Sequence, residues 1–183
     1  MLLGGPGAGK GTQASRLAPL LGVPHVSSGE LLRDVTSGGD RQMQHGELLP
    51  DEVATGIVLQ RLEQPDAARG AILDGFPRTV PQAEALDAWL DQRGGAIRAV
   101  PFLEVPRPTM VDRVVDRGKE SGRSDDRADV ADRRADIFAS ELPGLLEYYA
   151  RKGLLARING SRPVEQVQQQ IIETLRGPLK SRP

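Results

Sequence analysis

A glycine-rich run near the N-terminus has the composition of a phosphate-binding loop. Residues 4–12 read GGPGAGKGT, with five glycines, one lysine and one threonine. Glycines let a loop curl so that successive backbone N–H groups point at phosphate oxygens, and the lysine reaches the β- and γ-phosphates. The run follows a short apolar segment, residues 1–3, and precedes a predicted helix with one apolar face. The sequence therefore predicts a nucleoside triphosphate site on Gly7, Ala8, Gly9, Lys10, Gly11 and Thr12.

A second group of polar residues leaves the end of a predicted buried strand. Residues 71–73 are apolar, and the six residues that follow, 74–79, read DGFPRT. Ligands of α/β proteins lie at the carboxyl ends of the strands, so we expect Asp74 to hold waters on Mg²⁺ and Arg78 to bind a second phosphate group. Thr12 is expected on the magnesium side as well, because Gly11 stands where the general motif has its hydroxyl residue.

The third group is a set of arginines in the second half of the chain. Two of them are four residues apart and share one helix face, and the segment 121–126, SGRSDD, lies between two predicted helices. Glycines at 118 and 122 bracket a short loop that can close over a site. Phosphoryl transfer depends on positioning and on cations near the migrating charge. As a set, these residues predict a closing phosphoryl-transfer site: Arg113, Arg117, Arg123 and Arg134.

Length and composition limit the classes of protein that the sequence can represent. The 183 residues suffice for one domain, with or without small inserted lobes. The formal net charge is −1, so no overall field favours nucleic acid or a membrane, and neither is expected as a partner. The chain has no cysteine, which excludes disulfides and thiolate metal sites. No run approaches the ~20 apolar residues of a membrane span, and no leader pattern is present, so we expect a cytoplasmic protein.

Short apolar runs alternate with helical periodicity, which predicts an α/β fold with a parallel sheet. Five strands are predicted, at residues 1–3, 23–26, 71–73, 97–105 and 155–158, with helices on both faces of the sheet. Pro101 implies that its strand is an edge strand or carries a bulge. Pro143 is expected to disturb the long helix predicted over residues 127–150. Ala14, Leu17, Ala18 and Leu21 are expected to face inward from the first helix.

Five segments in this order resemble the adenylate kinase family over essentially the whole chain. They are GGPGAGKGTQ at 4–13, SSGELLR at 27–33, DGFPRT with Gln82 at 74–82, DRVVDRGKESGRSDD at 112–126 and NGSRPVEQV at 159–167. The resemblance implies a three-layer P-loop nucleoside monophosphate kinase fold, with one kinase domain over residues 1–183, an inserted AMP-binding lobe at about 27–56 and a short lid at about 118–128. It implies reversible conversion of ATP and AMP into two ADP, Mg²⁺ bound with ATP, no zinc, and a monomer.

The same resemblance assigns roles to individual residues. Ser28, Arg33, Arg78 and Gln82 would hold AMP, with both arginines on its phosphate and Gln82 at the adenine edge. The transferring phosphoryl group would lie among Lys10, Arg78, Arg117, Arg123 and Arg134, the last two also contacting AMP. Arg113 would stack near the ATP base, which the backbone of Arg162 would contact. The remaining AMP-pocket positions implied are Glu47, Leu48, Leu49, Gly75, Phe76 and Pro77. The family usually has a few more residues before its first strand, so either that strand is short here or its true start lies upstream.

Other functions predict different residues. A UMP/CMP kinase has asparagine after the GFPR arginine, where this chain has Thr79, which favours adenine. A shikimate or gluconate kinase would lack DGFPRT followed by Gln82. A regulator that binds ATP without turnover would be expected to lose Lys10 or the lid arginines, and a simple ATPase would need a residue that orients water. His25 is interpreted as a strand-end side chain, His45 as solvated, and Asp51 and Glu52 as helix-capping charge.

Overall fold

The computed structural model describes residues 1–35, 49–121 and 127–177. The helix predicted after the glycine-rich run and the long helix predicted over residues 127–150 are both present. None of the helices described is both long and apolar enough to cross a membrane. In chain order the elements are α1 (Lys10–Leu21), β1 (His25–Ser27), α2 (Ser28–Val35), α3 (Asp51–Leu62), a 3₁₀ turn (Pro65–Ala67), β2 (Ile72–Asp74), α4 (Val80–Gln92), β3 (Val100–Glu104), α5 (Arg107–Ser121), α6 (Ala128–Arg151), β4 (Leu155–Asn159) and α7 (Val164–Arg176).

The strands form two parallel pairs, with the first residues of the chain between them. β1 pairs with β2 and β3 pairs with β4, both in parallel. Leu2 and Leu3 make only single bridges, to Asp74 and Phe102 respectively. The Leu2 N–H donates to the Leu73 carbonyl at 2.9 Å, and the Leu3 N–H donates to the Pro101 carbonyl at 2.9 Å. The fold is α/β with parallel strands, whereas the predicted sheet of five strands is not confirmed, because residues 1–3 form bridges and not a strand.

Pro101 removes one hydrogen bond between the first segment and β3. The Pro101 carbonyl accepts from Leu3, and the Leu103 N–H donates to the Leu3 carbonyl at 2.8 Å, so these groups face the first segment. The nitrogen of Pro101 faces the same side but has no hydrogen to donate toward Met1. The missing donor thus lies on the side of the first segment, and β3 has a neighbour on each side. The predicted edge strand or bulge at Pro101 is therefore wrong, and the proline removes only one hydrogen bond from the pairing.

The helices pack on the strands through apolar faces that mostly match the predicted pattern. Ala14 and Leu17 of α1 are buried in the core with Leu2 and Leu103. Leu21 is 45% exposed, so its predicted inward position is wrong. The cause is the end of the helix at this residue, where Gly22 adopts a left-handed conformation with φ 64°.

Pro143 does not divide the long helix, and α6 continues through it to Arg151. A proline inside a helix costs roughly 3 kcal/mol, through a lost hydrogen bond and a steric clash. Leu145 and Tyr149, which follow the proline, are both 0% exposed. Burial of these two large side chains against β3 offsets that cost.

Two adjacent tyrosines of α6 allow a matched test of buried polar groups. The Tyr149 hydroxyl is buried and has no hydrogen-bond partner among the described residues, whereas the Tyr148 hydroxyl donates to Asp87 at 2.8 Å. Because an unpaired buried hydroxyl costs about 1–3 kcal/mol, Tyr149→Phe should leave the free energy of unfolding unchanged or raise it by ~1 kcal/mol. Tyr148→Phe should lower it by ~1 kcal/mol. Urea denaturation measures both, and a clear loss of stability in Tyr149→Phe would contradict this account.

Candidate active site

The glycine-rich run forms a loop between Leu3 and the start of α1 at Lys10. Gly9, at the N-cap, has φ 94° and Gly7 has φ 77°, both in the left-handed region that favours glycine. A Cβ atom on Gly7 would overlap the backbone carbonyl of Met110, so the loop lies directly against α5. The loop presents backbone N–H groups at a helix N-terminus, which is an arrangement that binds phosphate.

Lys10 lies across this loop. Its ammonium group donates to the Gly5 carbonyl at 2.9 Å. Burial lowers the pKa of Lys10, the negative charge of Asp74 opposes that change, and the nearby charges of Arg78 and Arg117 lower it further. The side chain is therefore close enough to one acid and two arginines for their charges to act on it. This places a cation from the loop at the centre of the predicted site.

Asp74, the last residue of β2, contacts a histidine that sequence reasoning set aside. Its Oδ2 lies 3.2 Å from Nε2 of His25, the first residue of β1. Burial alone would raise the pKa of Asp74, but the hydrogen bond from His25 and the charges of Lys10 and Arg78 outweigh it and hold the pKa below its ordinary value. The carboxylate is thus ionised at neutral pH. Adjacency of β1 and β2 in a parallel sheet was the signal that could have placed His25 beside Asp74.

The residues around Asp74 suit a hard cation that arrives with phosphate. Thr12 lines the same cavity, and a Cβ on Gly11 would lie 3.4 Å from Oδ2 of Asp74. No group of three or more His, Cys, Asp or Glu side chains suited to a metal occurs within residues 1–35, 49–121 and 127–177. Magnesium is commonly bound by one or two carboxylates together with phosphates and waters. An ionised carboxylate that shares a cavity with a hydroxyl and a phosphate loop fits that donor set.

Arg78 forms the centre of the second phosphate-binding region. Its Nε donates to the Gly75 carbonyl at 2.8 Å, and the Ser28 hydroxyl donates to the same oxygen at 2.7 Å. Burial lowers the pKa of Arg78 to about 10, and the charge of Arg134, with a smaller effect of Arg33, acts in the same direction. Arg78 still carries its proton at neutral pH. Arginine charges that act on one another at short range make a region that favours a phosphate group.

Both regions open into one cavity of about 700 Å³. Every predicted site residue in the described part of the chain lines it. Glu47, Leu48 and Arg123 lie outside the described residues, as do His45, residues 36–48 of the predicted AMP-binding lobe and residues 122–126 of the predicted lid. The predicted residues that line the cavity are Gly7, Ala8, Gly9, Lys10, Gly11, Thr12, Ser28, Arg33, Leu49, Asp74, Gly75, Phe76, Pro77, Arg78, Gln82, Arg113, Arg117, Arg134 and Arg162.

Arg113 bonds the backbone of two segments that line the cavity. Its guanidinium donates to the Gly160 carbonyl at 3.3 Å and to the Gly7 carbonyl at 3.5 Å. The residue therefore joins the phosphate loop to the turn between β4 and α7. Arg113 and Arg162 both line the cavity, as expected for two residues of one nucleotide pocket.

Asp51 supports a residue of the site through a contact that the sequence did not reveal. It is the first residue of α3, which agrees with its interpretation as helix-capping charge. Its carboxylate also accepts hydrogen bonds from the Thr79 hydroxyl at 2.8 Å and from the Gln82 side-chain amide at 2.7 Å. Asp51 therefore holds the side chain that is predicted to read the base. No local pattern in the sequence indicates this contact, because 31 residues separate Asp51 from Gln82.

A phosphate loop that shares one cavity with a second cluster of arginines defines a P-loop phosphotransferase that handles two phosphate groups. The family model described as "Adenylate kinase" matches residues 2–154. The chain is 38% identical to the adenylate kinase of Stenotrophomonas maltophilia (strain R551-3), over 97% of this chain and 98% of that protein. It is 43% identical to the adenylate kinase of Synechococcus sp. (strain JA-2-3B'a(2-13)), over 97% of this chain and 95% of that protein.

The adenylate kinase of Micrococcus luteus is 37% identical, over 96% of this chain and 89% of that protein. These similarities span nearly the full length of each protein. The chain belongs to the adenylate kinase family, and its function is that of an adenylate kinase, a nucleoside monophosphate kinase among the phosphotransferases.

Proposed function

We propose that the protein binds ATP and AMP end to end in this cavity and transfers the terminal phosphoryl group of ATP directly to AMP, giving two ADP. The main support is that one cavity joins the phosphate loop to the region around Arg78. The triphosphate enters from the loop side, and the monophosphate enters from the side of α2 and α4. Direct in-line transfer needs the two phosphates to meet, and this cavity is continuous between them.

On the ATP side, backbone N–H groups of residues 7–12 bind the phosphates and Lys10 neutralises the outer ones. Arg113 and Arg162 hold the base at the turn between β4 and α7. Thr12 and Asp74 would hold Mg²⁺ through water, which agrees with the lowered pKa of Asp74. Magnesium bound with ATP neutralises phosphate charge and orients the phosphates.

On the AMP side, Arg33 and Arg78 bind the phosphate and Gln82 faces the adenine. The pocket wall is formed by Ser28, Leu49 and residues 75–77, all of which line the cavity. Lys10, Arg78, Arg117 and Arg134 surround the transferring group, which is consistent with their mutual effects on pKa. Their part in catalysis is to position the phosphates and stabilise charge, since the transfer needs no covalent step on the protein. The proposal also includes Arg123 at the transferring group and AMP, and Glu47 and Leu48 in the AMP pocket.

We also propose the larger organisation that the family implies. A single kinase domain over residues 1–183 has a three-layer fold around five parallel strands, an AMP-binding lobe at about 27–56 and a lid at about 118–128. Closure of these two segments excludes water, which would otherwise accept the phosphoryl group. One chain lines both nucleotide regions, which supports a monomer as the active form. A cytoplasmic location, with no nucleic acid or membrane partner, agrees with the composition.

An acceptor panel tests the proposal. Formation of ADP from Mg-ATP is measured with AMP, CMP, UMP, GMP or no acceptor, using the full chain. We expect rapid turnover with AMP, much slower turnover with the other three, and almost none without an acceptor. Preference for CMP or UMP would contradict the assignment of Gln82 to adenine. ATP binding with no turnover for any acceptor would contradict a kinase.

A further inference from the structure

The side-chain amide of Gln82 has an orientation that its neighbours determine. Gln82 is 2% exposed and lines the cavity. Its Nε2 lies 2.7 Å from Oδ1 of Asp51, and its Oε1 accepts from the backbone N–H of Arg78 at 2.8 Å. A carboxylate only accepts hydrogen bonds and a backbone N–H only donates. The amide nitrogen must therefore face Asp51, and the amide oxygen must face Arg78.

The reverse orientation would be unfavourable on both sides. It would bring the amide oxygen of Gln82 against the carboxylate of Asp51, and the amide NH₂ against the N–H of Arg78. Each contact would leave a buried polar group without a partner, at a cost of about 1–3 kcal/mol. The two neighbours therefore act together against a flipped amide.

Asp51 is itself held in place by the same helix turn. Its Oδ2 accepts from the Thr79 hydroxyl at 2.8 Å, and the Thr79 oxygen in turn accepts from the Gln82 backbone N–H at 3.3 Å. Both carboxylate oxygens are thus engaged by residues at the start of α4. Thr79, which favoured adenine in the sequence comparison, acts on Gln82 through this carboxylate.

The hydrogen-bonding groups of the Gln82 amide that the protein does not use match one of the two kinds of purine base. Within the described part of the chain, the amide has one N–H and one lone pair of its oxygen not used by the protein. Adenine presents an acceptor at N1 and a donor at its 6-amino group. A 6-oxopurine presents a donor at N1 and an acceptor at O6, and so needs the opposite orientation of the amide.

We propose that Asp51 is a positioning residue that holds the Gln82 amide in the orientation that pairs with adenine and rejects 6-oxopurines. The inference rests on the proposed role of Gln82 at the adenine edge. It adds a selectivity against IMP and GMP that comes from repulsion of the wrong base as well as from attraction of the right one. Asp51 acts only through Gln82 and does not contact the nucleotide.

The test compares AMP with IMP, which differ at the 6-position and the N1 proton. The quantity measured is the ratio of kcat/KM for AMP to kcat/KM for IMP, with Mg-ATP as donor and the full chain as enzyme. Asp51→Asn keeps the shape but offers Gln82 both a donor and an acceptor, so residue 51 no longer opposes the flipped amide and only the Arg78 N–H does. We expect this ratio to fall at least about tenfold in Asp51→Asn and in Asp51→Ala, as for a hydrogen bond that no longer discriminates.

Glu52→Gln is the matched control, because Glu52 is exposed and lies in the same first turn of α3. This variant removes a helix-capping charge without touching Gln82, and the ratio should stay unchanged. The KM for ATP and the thermal midpoint should be similar in Asp51→Asn and Glu52→Gln. An unchanged ratio in both Asp51 variants, or equal losses with AMP and IMP, would overturn the proposal.

Gln82→Leu separates the inference from the function on which it rests. A lower ratio in Gln82→Leu with normal ratios in the Asp51 variants would overturn the role of Asp51 alone. An unchanged ratio in Gln82→Leu would overturn both the role of Asp51 and the assignment of Gln82 to the adenine edge. A reduced ratio in all three variants is the result expected.

Discussion

Replacing Lys10 with methionine is expected to lower kcat by about 10³-fold or more, which is the scale of losing one preorganised electrostatic contact to the transition state. The ammonium group bonds the Gly5 carbonyl of the phosphate loop and lies among the charges of Asp74, Arg78 and Arg117. Methionine keeps the length of the side chain and removes its charge. Because burial of that charge is unfavourable in the folded state, the loss should not destabilise the fold.

The rate is measured as ADP formation at saturating nucleotide, and the fold by urea denaturation. Lys152→Met is the matched control, since this lysine pairs with Asp87 outside the cavity. Its kcat should stay within about twofold of the parent, on the principle that substitutions remote from the chemistry leave transition-state contacts intact. A Lys10→Met variant with kcat within about tenfold of the parent would remove Lys10 from the catalytic set.

Arg78→Ala is expected to raise the KM for AMP and lower kcat, with kcat/KM for AMP reduced about 10³-fold. Arg78 is half-buried, stays protonated with a pKa of about 10, and bonds the carbonyl of Gly75. It is proposed to contact both the AMP phosphate and the transferring group, which is why both kinetic parameters should change. The KM for ATP should change much less, because the phosphate loop remains intact.

Two further variants serve as comparisons for this prediction. Arg78→Lys keeps the charge but loses the planar fork, so it should recover only part of the activity. Arg93→Ala removes an arginine that pairs with Glu63 at 3.0 Å and stacks on Trp89, both away from the cavity. Its kinetics should match the parent. Loss of ATP affinity equal to the loss of AMP affinity in Arg78→Ala would contradict the division of the cavity into two nucleotide sides.

Contiguous motifs carried most of the predicted site. A phosphate loop needs glycines, a lysine and a helix start in direct succession, so residues 7–12 could be assigned from the sequence. Asp74 and Arg78 were found for a similar reason, because both follow directly from the end of one strand. The structure places these residues around one cavity. Their chemistry depends on spacing along the chain, which a sequence displays.

Contacts between distant segments were not predictable in the same way. His25 and Asp74 are 49 positions apart, and Asp51 and Gln82 are 31 apart. Each pair meets only because neighbouring elements pack, and nothing in either local pattern indicates the partner. The strand predicted at residues 1–3 is not confirmed for a different reason. Its apolar residues suggest a strand, but pairing also depends on hydrogen-bond donors in the neighbouring strands, and Pro101 of β3 lacks one.

The position of Leu2 and Leu3 also determines when the phosphate loop acquires its support during synthesis. The hydrogen-bond partners of these two residues are contributed by Leu73, Pro101 and Leu103. On the ribosome the loop therefore emerges long before the strands that hold it exist. β1 can pair with β2 while the chain is still growing, but the backbone partners of Leu3, on Pro101 and Leu103, are made later. The phosphate loop is therefore supported by its neighbouring strands only in a later step of folding, after distant parts of the chain have been made.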